Sequence, residues 1–180
     1  MLAITHAVII MDRVMIFVDG SNLFHSCEEI GKRIDYDLLR NALTKAKDDR
    51  RLIRAHFYGS EPGVKNPKQE AFHRRLRYMG WEVKIYPLRE FGAGMRSKEK
   101  EVDISLATDM LLYGHKNLYD VAVLVTGDKD YRPAIKAVKE MGKWVEVAGF
   151  KHAMADELVL EVGTANYVCL DELIDQIKRK

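Results

Sequence analysis

The sequence has few of the residues that build cysteine- or histidine-based sites. Only two cysteines occur in 180 residues, Cys27 and Cys169, which gives neither a disulfide framework nor a thiolate metal-ligand spacing. A reducing, cytoplasmic setting is the expectation that follows. The histidines (His6, His25, His56, His73, His115, His152) include no HxxxH or HxH pair, which argues against a histidine-rich zinc site. There is no GxxxxGK[ST] and no GxGxxG, so neither glycine-rich phosphate cradle is present. No repeat, low-complexity tract or linker interrupts the chain. The apolar opening MLAITHAVIIMDRVMIFVDG lacks a basic start and a small-residue cleavage site, and Asp12 and Arg13 break it. It fits neither a signal peptide nor a membrane span, and no membrane association is expected.

What is present is ordinary for a globular protein: 47% hydrophobic and 31% charged residues, with a formal net charge of +2. That balance is too weak to demand a polyanionic partner, so the local placement of charge matters more. The length suits one domain with a real core. Met11 sits just before the first credible strand. Residues 1–13 are expected to form an N-terminal extension, dispensable before Met11, and residues 14–180 a single domain.

Apolar runs rich in β-formers predict strands over Val14–Asp19, Leu52–Tyr58, Trp81–Pro87, Val121–Thr126, Trp144–Gly149 and Tyr167–Leu170. Helical spacing falls between them, over Tyr36–Lys47, Asn66–Met79, Glu101–Tyr113, Tyr131–Met141, Ala153–Leu160 and Asp171–Ile177. Ser21 or Asn22 is expected to cap a helix after the first strand. Arg89–Lys100, with two glycines and no sustained apolar period, reads as a mobile basic loop. Alternating strands and helices, with near-continuous apolar strands, predict an α/β fold whose mostly parallel sheet is covered on both faces.

In such sheets ligands lie beyond the carboxyl ends of the strands, near the switch in strand order. Asp19 ends the first predicted strand, and Thr126, Asp128 and Asp130 end or follow a later one. Each has an ordinary structural reading too: turn former, strand-end filler or helix cap. Asp103, at the start of a predicted helix, also suits the helix dipole. Carboxylates gathered in one crevice would repel one another and call for a cation. Hard oxygen ligands in that number suit Mg²⁺ or Mn²⁺.

Three segments carry a family resemblance: IFVDGSNLF (Ile16–Phe24), KEKEVDISLATDML (Lys98–Leu111) and LVTGDKDYRPAI (Leu124–Ile135). In this order they resemble the signature blocks of NYN-domain ribonucleases of the LabA-like, DUF88 type, within the PIN-like nuclease superfamily. The resemblance covers Val14 to about Phe150. It implies a PIN-like three-layer α/β/α sandwich and metal-dependent, endonucleolytic hydrolysis of RNA, single-stranded or structured. The family's acidic positions fall on Asp19, Asp103, Asp128 and Asp130, which would hold one or two divalent ions, roughly 4 Å apart when paired. The roles of Asp128 and Asp130 stay undivided. Asn22 matches the family's asparagine; Ser21, Thr126 and Asp109 are supporting candidates.

Arg74 and Arg75, with Arg77, and the loop residues Arg89, Arg96, Lys98 and Lys100 are candidates for RNA-backbone contact, or else a solvated face. Phe91 and Tyr131 could stack on bases or pack internally. Exposed apolar helices could support a homodimer. The rival readings are a non-catalytic RNA-binding or regulatory module that keeps the fold, and a phosphohydrolase acting on small phosphoesters. The latter is disfavoured because DGSN lacks the second aspartate of an aspartyl-phosphate enzyme.

Overall fold

The apolar runs pair into one sheet. The computed structural model describes residues 11–62, 66–88 and 99–179. Within them the strands are β1 (Asp12–Asp19), β2 (Arg50–Pro62), β3 (Glu82–Leu88), β4 (Val121–Val125), β5 (Trp144–Gly149) and β6 (Tyr167–Cys169). The helices are α1 (Gly20–Glu29), α2 (Tyr36–Thr44), α3 (Pro67–Tyr78), α4 (Glu99–His115), α5 (Arg132–Glu140), α6 (Asp156–Val162) and α7 (Leu170–Ile177). The sheet order is β3-β2-β1-β4-β5-β6, and every neighbouring pair is parallel.

Successive residues of β1 and β4 feed opposite cores, because side chains alternate across a strand. Val14, Ile16, Val18, Val121 and Val123 pack with Leu23, Leu39, Leu43, Leu76 and Ile177 from α1, α2, α3 and α7. Met15, Phe17, Ala122 and Leu124 pack with Leu106, Met110, Ile135, Val138 and Leu158 from α4, α5 and α6. The result is a three-layer α/β/α sandwich. Both faces of the central strands are dry, which is why they read as unbroken apolar runs.

Some bounds differ from those expected. β1 begins at Asp12, so Asp12 and Arg13 are strand residues, and residues 1–10 lie outside those described. β2 continues to Pro62 because Gly59 to Pro62 pair with β3 alone, past the end of β1. α4 opens at Glu99, inside the expected loop, whose residues 89–98 are outside the described part. Lys151–Ala153 form a short 3-10 turn before α6. Among the described residues no helix is long and apolar enough to cross a membrane.

Candidate active site

Strands β1 to β3 build the sheet in one direction and β4 to β6 in the other, so the switch point lies between β1 and β4. Their carboxyl ends deliver Asp19 and Thr126. No loop separates β1 from α1, and Asp19 itself, rather than Ser21 or Asn22, is the N-cap: its Oδ1 accepts the Asn22 N–H at 3.1 Å. Gly20 is required at this junction, since a Cβ there would lie 2.3 Å from the Phe57 ring and 2.6 Å from the Tyr58 carbonyl oxygen.

Asp19 is 4% exposed. Its Oδ2 accepts from Thr126 Oγ1 at 3.2 Å and lies 3.5 Å from the Tyr131 hydroxyl. The same hydroxyl donates to Asp103 Oδ1 of α4 at 2.8 Å. Thr126 Oγ1 accepts the Asp128 N–H at 3.2 Å, and Asn22 Oδ1 accepts the Gly127 N–H at 2.9 Å. Asp128 Oδ1 accepts the Asp130 N–H at 2.9 Å, capping the 3-10 turn Lys129–Tyr131. The loop after β4 is thereby held to both β1 and α1.

Asp19, Asp103 and Asp128 line one cleft of about 220 Å³, together with Ser21 and Asn22. Burial pushes Asp19 up to about 6; the Asn22 N–H opposes the shift, and the like charges of Asp103 and Asp128 add to it. Burial, with the charges of Asp19 and Asp103, also drives the Tyr131 phenol far above its ordinary range, so it remains a neutral donor. A cation would relieve the strain on these acids. Among the described residues no three His, Cys, Asp or Glu side chains form a ready cage for a metal ion. The donor set instead fits a hard ion that keeps part of its water shell, as Mg²⁺ does when it binds through one or two carboxylates and a phosphate.

The remaining candidates are placed as follows. Asp130 is exposed and stands outside the lining of the cleft. Asp109 is buried farther along α4, where it accepts from Tyr58 at 2.6 Å and pairs with Lys84. Arg74 and Arg75 are exposed on the second half of α3. That helix returns the chain from the carboxyl end of β2 to the start of β3, so both arginines lie toward the amino ends of the strands, away from the cleft. Arg89, Arg96, Lys98 and Phe91 fall outside the described residues, as does the side chain of Lys100.

Sequence reasoning missed His25, Ser26 and Glu29, which also line the cleft. Their spacing from Asn22, three, four and seven residues, marks one face of a helix and could have found them. It also left open the fate of Tyr131, which is 2% exposed and bridges two acids instead of offering a stacking surface.

Comparison with known proteins finds similarity over most of the chain. The "Low amplitude and bright protein LabA" of Synechococcus elongatus is 27% identical over 172 residues, covering 93% of this chain and 88% of that protein. The crystal structure of a Vibrio parahaemolyticus protein of unknown function superposes with a TM-score of 0.77 at 22% identity. It covers 97% of this chain and 100% of that one, a likeness of fold. The NYN domain matches residues 13–167. The chain belongs to the NYN domain family.

Proposed function

We propose that this NYN-domain chain is a metal-dependent endoribonuclease that hydrolyses RNA phosphodiester bonds at the acidic cleft. The observation that carries the reading is the meeting of Asp19, Asp103 and Asp128, from three separate elements, in one cleft at the switch point. Family membership supports RNA as the substrate class.

Asp19, Asp103 and Asp128 are the residues that would hold Mg²⁺ or Mn²⁺. When bound, such an ion supplies a more acidic water and stabilises charge on the departing oxygen. We assign direct contact to Asp128 rather than Asp130, because Asp128 lines the cleft and Asp130 is exposed outside it. Thr126 holds the Asp19 carboxylate and the Asp128 backbone at once, which fixes the two acids relative to each other. Asn22 secures the backbone at Gly127 between them.

The test uses purified chain with a circular RNA and with end-labelled single-stranded and hairpin RNAs, in Mg²⁺, Mn²⁺ or EDTA. Wild type is expected to cut the circle in divalent ion only. Asp19→Asn and Asp128→Asn are expected to lose roughly 100-fold or more in rate, and Asp130→Asn less. Equal cleavage by wild type and the Asp19 and Asp128 variants would mark a contaminant and sink the proposal. Salt-sensitive RNA binding with no cleavage in any ion would leave a non-catalytic RNA-binding module instead.

A further inference from the structure

Tyr131 closes the second core, packed among buried side chains that include Leu106, Ile135 and Leu158. A phenol this deep needs a partner for its hydroxyl. The partners here are carboxylates on two different elements, Asp103 Oδ1 at 2.8 Å and Asp19 Oδ2 at 3.5 Å. One carboxylate ends β1 and the other belongs to α4, 84 residues later in the chain by subtraction of their numbers.

We infer that Tyr131 is a positioning residue for the cleft's cation, its hydroxyl joining the Asp19 and Asp103 carboxylates into a single ligand pair. The inference rests on the reading of the cleft as a divalent-cation site. A carboxylate offers about four acceptor positions. Asn22 and Thr126 donate to two of those on Asp19, and the single Tyr131 proton, given chiefly to Asp103, is shared with Asp19 at the longer distance, which leaves capacity for an ion. A hydroxyl is the fitting bridge. A lysine at this position would bring a positive charge that competes with the incoming cation, whereas a neutral donor steadies both acids and leaves their charge intact. Groups that hold metal ligands in place in this way tune metal affinity as well as geometry.

Tyr131→Phe removes the hydroxyl and keeps the ring. Its matched control is Tyr119→Phe in the same core, which loses a buried hydroxyl that donates to the Met110 carbonyl at 2.7 Å. Mn²⁺ binding is measured without RNA, by the loss of the free-ion electron paramagnetic resonance signal, alongside a melting curve for each protein. The expected result is Mn²⁺ affinity weaker by roughly 10- to 100-fold in Tyr131→Phe, with Tyr119→Phe binding as wild type does. Wild-type affinity in Tyr131→Phe would overturn the positioning role alone. An equal loss in Tyr119→Phe would overturn it too, showing only a general softening of the core. A wild-type chain that takes up no Mn²⁺ would sink the cation site, and the nuclease reading with it.

Discussion

Asn22 Oδ1 accepts the Gly127 N–H at 2.9 Å, joining the first turn of α1 to the loop after β4 across 105 residues of sequence. Gly127 is held from the other side as well. Its carbonyl accepts the Ala155 N–H at 3.1 Å, and a Cβ on it would fall 1.8 Å from the Ala153 carbonyl oxygen. The loop that presents Asp128 is thus clamped between α1 and the segment after β5.

Asn22→Ala leaves the buried Gly127 N–H without this acceptor. The expected loss is about 1–3 kcal/mol of folding stability, read from urea denaturation. Asn22→Asp restores an acceptor but adds a further carboxylate to the cleft. It should be more stable than Asn22→Ala at pH 5 and lose that advantage at pH 8. Two variants that both matched wild type at pH 8 would show that the clamp contributes nothing.

Asp19 makes stability depend on pH in a defined direction. Its pKa stands near 6 in the folded chain against an ordinary 3.8, through burial and the neighbouring acids. The folded state therefore holds the proton more tightly than the unfolded state does. The associated stability is complete below pH 4 and is lost as pH rises through 6. The shift corresponds to on the order of 3 kcal/mol. In EDTA, Asp19→Asn should be more stable than wild type at pH 8 by up to that amount, with the difference closing toward pH 4. Mn²⁺ should raise the melting temperature of wild type at pH 8 and leave the variant nearly unmoved. A wild-type chain that outlasts Asp19→Asn at pH 8 in EDTA would contradict the assigned shift.

The sequence showed the sheet plainly because burial on both faces forces unbroken apolar strands such as VMIFVD and VAVLV. The same logic put Asp19 and Asp128 beyond strand ends, where an α/β crevice opens. Asp103 was different. Residue spacing cannot say which helix covers which strand, so only the resemblance to NYN ribonucleases singled it out. The role of Tyr131 was out of reach for a similar reason: its burial depends on how α4 and α5 meet over the sheet, a relation between segments distant in sequence. His25 and Glu29 were within reach, since helical spacing from Asn22 places them on the cleft side of α1.

Asp109 shows how that helix placement is secured. Tyr58 stands opposite Asp19 in the pairing of β1 with β2, and its hydroxyl donates to Asp109 Oδ2 at 2.6 Å. Lys84 of β3 pairs with the same oxygen, and Tyr86 and Ser105 make a further hydroxyl contact between β3 and α4. These polar ties fix the rotation of α4, and with it the direction in which Asp103 faces. Asp109→Ala would strand the Tyr58 hydroxyl and the Lys84 ammonium together. Because Lys84 is 37% exposed at its side chain, its charge can turn to water, so the expected cost is about 2 kcal/mol, below that of breaking a fully buried pair. Asp109→Asn keeps an acceptor for Tyr58 and should cost about half as much. Replacing the partner as well, in Asp109→Asn/Lys84→Met, should recover part of the loss in a double-mutant cycle. Additive single effects in that cycle would show that Lys84 and Asp109 meet without energetic coupling, and α4 would then owe its placement to the Tyr58 and Tyr86 hydroxyl contacts and to the packing of Val102, Leu106 and Met110.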